Sequence, residues 1–412
     1  MKKIISKNKI LSNNIFILIL LLLFITVLLR LFHLNFEDYW FDELTSFWLA
    51  DPRISDQNTY VQRYLNPGQP DQITFYFFLK YFFKIFGYSD VVGRYFSFIF
   101  GSLAIPIIVY SSFKIKSNNS FLFLFFLLSI NTYLITYSQE VRVYSLFLFI
   151  SSINIFLFIK LTNDISQKSE WYLYLSFLIS NILNTSLHIF AFLIAVSQIV
   201  FLLYLYYSNK SNHSKLIMIT LLSVLFGLAF NYEFIFFKSD VITWISPLES
   251  KFFLDFFFSK FFGSKIMGAI YLLTLIYLLV KFKFLISTKN RNLFFLLILT
   301  IFTYLIPIIY TLLVRPILID RYIIFVLIPI LILISHLIWS LKNKRIKYFF
   351  IFLLSISTVA DSFIELTFKK TQKPQFTQAL NDIDSNLSKN ITFDTNEDTE
   401  FVLLSNYFAN KK

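Results

Sequence analysis

The chain is predicted to be an all-α polytopic membrane protein with about eleven transmembrane helices. Three observations lead there. Fifty-seven per cent of its 412 residues are hydrophobic and the mean hydropathy is +0.67, more apolar surface than one soluble core can hide. Apolar runs of roughly 20 residues, the length that crosses a bilayer as a helix, recur along the chain. Basic residues are also sorted into alternate connections, as the positive-inside rule requires of a multi-spanning chain.

The predicted spans are 11–34, 94–113, 120–137, 142–160, 171–188, 189–207, 216–232, 265–281, 293–312, 322–341 and 346–361. The first is too long for a signal-peptide core and lacks a small-residue cleavage site, so it reads as an anchor. Lys114/Lys116, Lys160/Lys168, Lys210/Lys215, Lys281/Lys283/Lys289/Arg291 and Lys342/Lys344/Arg345/Lys347 mark short cytoplasmic loops. Of the 24 acidic residues, only Asp164 and Glu170 fall on that side. The N-terminus is then cytoplasmic, and an odd number of spans puts the C-terminus outside. The loops 35–93 and 233–264 are extracytoplasmic, and a small segment, 362–412, follows the membrane domain 1–361.

The net charge of +13 is explained by this sorting and calls for no nucleic acid. Aromatic residues make up 20%, but Ile, Lys and Asn are abundant as well, so the excess reads as a composition bias. With no cysteine, disulfides, thiolate metal sites and cysteine nucleophiles are excluded. Seven glycines form no phosphate loop. No internal repeat of the transporter kind is evident.

In the first long loop, Trp40, Phe41, Leu44, Phe47 and Trp48 are spaced as one apolar helix face, with Asp42, Glu43, Thr45 and Ser46 on another. This predicts an interfacial helix. The runs 75–86 and 252–262, each interrupted by charge, read the same way. In the tail, Phe376, Leu380, Ile383 and Leu387 have helical spacing and pack on the membrane part.

Most ionisable residues outside the basic loops share one level, the outer span ends: Asp42, Glu43, Arg94, Glu140, Arg142, His188, Asp320 and Arg321. Arg94, Arg142 and Arg321 sit near the starts of inward-running spans, where free N–H groups favour anions. They are candidates to hold a phosphate; pairing of Arg142 with Glu140 and of Arg321 with Asp320, or lipid headgroup contact, is the alternative. A carboxylate at the edge of a low-dielectric cavity can act as general base. Adjacent helical residues diverge by ~100°, so Asp42 and Glu43 cannot serve one atom alike, and both can equally be acids on the wet face of the helix. His188 reads as a buried hydrogen-bonding residue, and no second histidine completes a metal site. Asp42 and Glu43 offer oxygen ligands of the kind Mg²⁺ or Mn²⁺ takes, a cofactor that the sequence leaves open.

Asp42-Glu43 after the first span, Phe86-Gly-Tyr-Ser-Asp-Val-Val-Gly-Arg94 before the second, Tyr137-Ser-Gln-Glu-Val-Arg-Val-Tyr144 between the third and fourth, Leu187-His188 at the end of the fifth and Asp320-Arg-Tyr322 with Pro329 at the tenth come in a telling order. The pattern resembles the GT-C glycosyltransferases of the bacterial protein mannosyltransferase and aminoarabinose transferase type, over roughly residues 10–340. The resemblance implies an inner-membrane enzyme that moves a sugar from a polyprenyl-phosphate donor to a protein, lipid or glycan acceptor. It implies Asp42 as base with Glu43 beside it, Arg94, Arg142 and Arg321 on the donor phosphate, and Glu140, His188, Tyr144 and Tyr322 in support. The family's His/Asp-Pro-Pro-Leu-Tyr-Tyr segment is here Pro70-Asp-Gln-Ile-Thr-Phe-Tyr76, with Asp71 in place of the lead residue. Other classes that fit are a glycan polymerase or ligase using a diphosphate-linked lipid, a lipid or solute transporter, and a scaffold without catalysis.

Overall fold

The computed structural model describes residues 2–58, 72–115, 118–163, 171–209, 213–232, 245, 259–282, 291–368, 373–379, 381 and 398–411. The described residues are helical and contain no strand. In chain order the helices are α1 (Lys2–Leu31), α2 (Phe41–Leu49), α3 (Ile73–Phe86), α4 (Asp90–Ile115), α5 (Ser120–Ser129), α6 (Thr132–Tyr137), α7 (Tyr144–Asn163), α8 (Trp171–Leu187), α9 (Ala191–Asn209), α10 (Ser214–Phe230), α11 (Lys265–Lys281), α12 (Arg291–Leu313), α13 (Leu327–Trp339), α14 (Lys344–Thr367) and α15 (Asp398–Phe408).

Seven segments among the described residues are long and apolar enough to cross a membrane: Asn13–Leu31 in α1, α4, α7, Ala191–Ser208 in α9, α12, Asp320–Trp339 and α14. This is the architecture of a polytopic helical membrane protein, in which each segment satisfies its own backbone. The four other apolar runs also form helices, but α8, α10 and α11 have 17 residues each and the run 120–137 is divided between α5 and α6. Burial grades from centre to rim: 89% of the Asp320–Trp339 window is buried, against 17% for α1 and 22% for α14. The outward faces of the rim helices carry Phe16, Phe24, Phe349 and Phe352. An exposed apolar face of that extent suits lipid rather than water.

The division of 120–137 has a local cause. Asn131 caps α6 by accepting the Leu134 N–H at 2.9 Å, which ends the preceding helix at Ser129. The carbonyls left over at the end of α5 are taken by Arg30, fully buried on α1, with Nη2 donating to Leu128 O at 3.2 Å and Nη1 to Ser129 O at 3.1 Å. A cation belongs at the negative end of a helix. A charge inside an apolar bundle is tolerated only when partnered in this way.

Between α7, α8 and α9 the core is polar but neutral. Asn154 donates to Ser180 Oγ at 3.0 Å and accepts from Gln198 Nε2 at 2.7 Å, all three buried. Such hydrogen bonds join helices where no hydrophobic difference between lipid and side chain can.

Helix α2 forms where the first interfacial helix is expected, but with a different face inside. Glu43, Leu44, Ser46, Phe47 and Leu49 are buried, whereas Phe41 is 46% exposed. The acid therefore lies on the packed side, contrary to the expected split into apolar and wet faces. Helix α15 packs on this region, whereas Leu380, Ile383 and Leu387 of the expected tail helix lie outside the described residues. The Tyr407 ring stacks on Tyr39 at 5.2 Å and its hydroxyl accepts the Tyr39 N–H at 3.4 Å. Arg53 reaches Asn406 and Asn410 of α15 and its carboxy-terminal flank. Of the other interfacial expectations, 75–86 forms α3, while 252–258 and most of loop 233–264 lie outside the described residues.

Candidate functional site

Four elements bring the site together at one end of the bundle, opposite the end where His336 contacts Ser112 and Ser120. They are α2, the loop 138–143 leading into α7, the turn Asp320–Val326 leading into α13, and the segment at Lys373. Helix α2 starts after Trp40, whose backbone is extended (φ −88°, ψ 172°), and the Glu43 carboxylate reaches back to the Trp40 N–H at 3.4 Å. This is half of a capping box. Two acids in the first turn also suit the positive end of the helix.

From that turn Asp42 and Glu43 go separate ways, as the ~100° step between helical neighbours demands. Asp42, with its side chain 26% exposed, meets two guanidiniums: Arg142 Nη2 and Arg321 Nη2 each lie 3.4 Å from its Oδ2. Arg142 is further fixed by Asp42 O at 3.2 Å and Ser46 Oγ at 3.5 Å. Arg321 lies over the Trp40 ring, 5.3 Å from its centroid, and both arginines flank Tyr144 at 5.9 Å. Cations over aromatic faces gain from the ring quadrupole without a full charge partner.

Glu43 is completely buried. Its Oε1 accepts the Val141 N–H at 2.9 Å, its Oε2 accepts from Lys373 Nζ at 2.8 Å, and Arg94 Nε lies 3.9 Å away. Burial by itself raises such a carboxyl, but Lys373, Arg94 and the Val141 N–H together hold it below the usual carboxylate range. Glu140 is held less firmly. Lys373 Nζ is 3.5 Å from its Oε1, and burial, aided by the nearby Glu43, leaves its carboxyl raised above the usual range.

Arg94 is placed apart from the other two arginines. It donates to Leu34 O at 2.8 Å and Asp38 O at 3.4 Å, and lies over Tyr39. It therefore buttresses the turn between α1 and α2 from behind Glu43. His188 accepts the Phe190 N–H through Nδ1 at 3.2 Å and stacks on Phe147 at 5.2 Å, with Tyr322 4.9 Å away. It forms the aromatic floor beside Tyr144. Asp71 lies outside the described residues.

The loop carrying Glu140 and Arg142 is fastened at both ends. Gln139 donates to Arg30 O and Phe32 O at 3.1 and 2.6 Å, Val141 and Val143 are fully buried, and Ser145 donates to Tyr137 O at 2.6 Å. Side chains mounted so firmly hold their geometry without a ligand.

A divalent cation is poorly served here. The two acids diverge, Glu43 is committed to Lys373 and Val141, and two guanidiniums occupy the space beside Asp42 Oδ2. Mg²⁺ and Mn²⁺ take several converging oxygens, and among the described residues no group of three acids or histidines converges. Lys373, which pairs with both Glu43 and Glu140, is the member of this cluster that the sequence does not single out. Its signal is the basic run Lys369-Lys-Thr-Gln-Lys373 on the side of the topology that otherwise holds the acids.

No family model matches the chain, and no curated protein matches it. Fold and site thus define a polytopic helical membrane protein with a cluster of acids and arginines at one end of its bundle.

Proposed function

We propose that the chain is an integral-membrane glycosyltransferase of the GT-C type, transferring a sugar from a polyprenyl-phosphate donor to an acceptor hydroxyl on the extracytoplasmic side. One observation carries this reading: Arg142 and Arg321 meet at a single oxygen of Asp42, each at 3.4 Å. Two guanidiniums stay together only around an anion. In the resting protein Asp42 is that anion. A phosphodiester, with two free oxygens for two planar forks, is a closer match. Its arrival frees the carboxylate for the acceptor.

The reaction then follows. The acceptor O–H gives its proton to Asp42, the acceptor oxygen bonds to the anomeric carbon, and the carbon–oxygen bond to phosphate breaks with its electron pair leaving on polyprenyl phosphate. The charge gained by the leaving group falls to Arg142 and Arg321. Such a single displacement inverts the anomeric centre. Sugar nucleotides are cytoplasmic, so a site facing outward needs a lipid-borne donor. This reading takes the cell (inner) membrane as location, eleven spans, a cytoplasmic N-terminus and an extracytoplasmic C-terminus.

The test is transfer of label from a panel of polyprenyl-phosphate sugars in membranes containing the wild type or Asp42→Asn. Transfer by the wild type alone supports the reading. Transfer only from diphosphate carriers favours a polymerase or ligase. Solute or lipid flux in proteoliposomes without transfer favours a transporter, although the central polar groups on α7, α8 and α9 are neutral and bonded to one another.

A further inference from the structure

Among the described residues of the C-terminal segment, Lys373 enters the site. Lys373 Nζ, its side chain 13% exposed, lies between Glu43 Oε2 at 2.8 Å and Glu140 Oε1 at 3.5 Å. The two acids come from different elements, α2 and the loop 138–143, and Lys373 spans them. The segment is not free to move away. The Lys373 N–H points at Glu37 Oε1 at 3.4 Å, and Thr377 donates twice to Asp38, from N at 2.6 Å and Oγ1 at 2.9 Å.

We propose that Lys373 is a positioning residue of the transfer reaction: it holds Glu43 and Glu140 as an ionised pair, and so keeps α2, with Asp42, registered against Arg142 and Arg321.

The other charged groups facing this trio do not replace it. Arg94 is 3.9 Å from Glu43 and already donates to the Leu34 and Asp38 carbonyls. Arg142 and Arg321 form their ion pairs with Asp42 and attract Glu140 less than Lys373 does. Glu37 adds negative charge. Two buried carboxylates without a cation between them cannot both stay ionised; one keeps a proton well above its ordinary value. Glu140 already lies in that direction because of its burial, and the two acids in turn raise Lys373 above the ordinary lysine value, against the desolvation that lowers it.

The sign of the effect follows. Without the Lys373 ammonium, a shared proton can take its place at low pH. As pH rises that proton leaves, the two carboxylates repel, and Glu43 loosens its hold on the Val141 N–H. In the wild type the Lys373 ammonium stands where that proton would be, 2.8 Å from Glu43 and 3.5 Å from Glu140, so the repulsion is offset until Lys373 itself titrates. The inference rests on the glycosyltransferase reading for its activity arm only.

The experiment compares full-length wild type, Lys373→Met, Lys373→Arg and the double variant Lys373→Met/Glu140→Gln in detergent, between about pH 5 and 9. Thermal midpoints are measured first. Lys373→Met is expected to lose stability relative to the wild type as pH rises, Lys373→Arg to follow the wild type, and the double variant to regain a flat profile because the second acid is gone. A Lys373→Met profile parallel to the wild type, or a double variant no better than Lys373→Met, overturns the proposal. Should Lys373→Met not accumulate, the double variant and Lys373→Arg still decide. In transfer assays at the alkaline end, Lys373→Met is expected to lower kcat by roughly tenfold to a hundredfold with little change in donor KM. Transfer lost equally at both pH values, without rescue by arginine, speaks against positioning. Undiminished transfer by Asp42→Asn sinks Asp42 as the base, and absence of transfer by the wild type sinks the glycosyltransferase reading; with the expected melting profiles, either outcome leaves the pairing role of Lys373 standing.

Discussion

Glu43 Oε1 accepts the backbone N–H of Val141 at 2.9 Å, joining residues 98 positions apart with both partners buried. This bond ties α2 to the arginine-bearing loop. The acid one position earlier, Asp42, is turned from it by about 100° and is partly exposed. On the proposed reading the neighbouring acids have a framing role and a chemical one, and substitutions should separate them.

Asp42→Asn is expected to lower sugar transfer by about 10²–10⁴-fold, the usual contribution of a general base. Its thermal midpoint should fall, because Arg142 and Arg321 lose the anion between them, but by less than in Glu43→Ala, since the Asp42 side chain is partly solvated and Glu43 is not. Both are read on the same detergent preparation, and a fall in the midpoint larger than that of Glu43→Ala would count against the division of roles.

Glu43→Ala takes the nearer of its two carboxylates from Lys373, leaving Glu140 at 3.5 Å, and strips an acceptor from Val141. Breaking such a pair costs about 3–5 kcal/mol, which should appear as a marked fall in denaturant resistance. Glu43→Gln, which keeps an acceptor for the Val141 N–H, should lose less.

Arg321→Lys keeps the charge but gives up the planar fork. We expect donor kcat/KM to fall about tenfold, roughly the 1.4 kcal/mol of one charge-assisted hydrogen bond. Arg142→Lys should lose stability as well, since Arg142 also donates to Asp42 O and Ser46 Oγ. Steady-state kinetics against donor concentration, beside melting curves, distinguishes the two arginines.

Gly101→Ala tests the seating of the loop from the other side. A methyl at Gly101 collides with the Ser138 side chain, which opens the loop carrying Glu140 and Arg142. Overpacking of this kind costs about 1–3 kcal/mol, and transfer should fall along with the melting midpoint although neither residue touches the acid–arginine cluster.

Asp38 sets the acid limit. Burial raises its carboxyl, but hydrogen bonds from Lys411 and Thr377 outweigh this and hold it below its ordinary value of 3.8. A depressed carboxylate adds stability in full above its unfolded value, and that stability is lost as pH falls through the folded one. Protease cutting of the C-terminal segment should therefore increase only below about pH 4 in the wild type. In Asp38→Asn it should already be raised at neutral pH.

Hydropathy located the helices well, since length and apolarity dominate in a bundle that faces lipid. It had no access to the break in 120–137. That run is apolar on both sides of Asn131, and the break is stabilised by Arg30, about a hundred residues earlier. The face of α2 was misread for a similar reason: an acid looks solvent-facing until its cation is known, and that cation is 330 positions away. The common level of Asp42, Arg142 and Arg321 followed from topology, but their meeting at one oxygen needed three dimensions. So did the separate placement of Arg94, whose partners are backbone carbonyls without a sequence signature.

The stacking of Tyr407 on Tyr39 joins residues 368 positions apart. A ribosome makes the first long before the second, so during synthesis α2 exists before its covering segment does. Glu43 and Glu140 then wait for their ammonium partner until the last helices of the bundle are in place. The interval leaves an unfinished acidic seam open to water or to a chaperone. Maturation of this end of the protein is consequently a late, post-insertional event, and a ribosome stalled before Lys373 should release a bundle whose helices are threaded but whose seam has not closed.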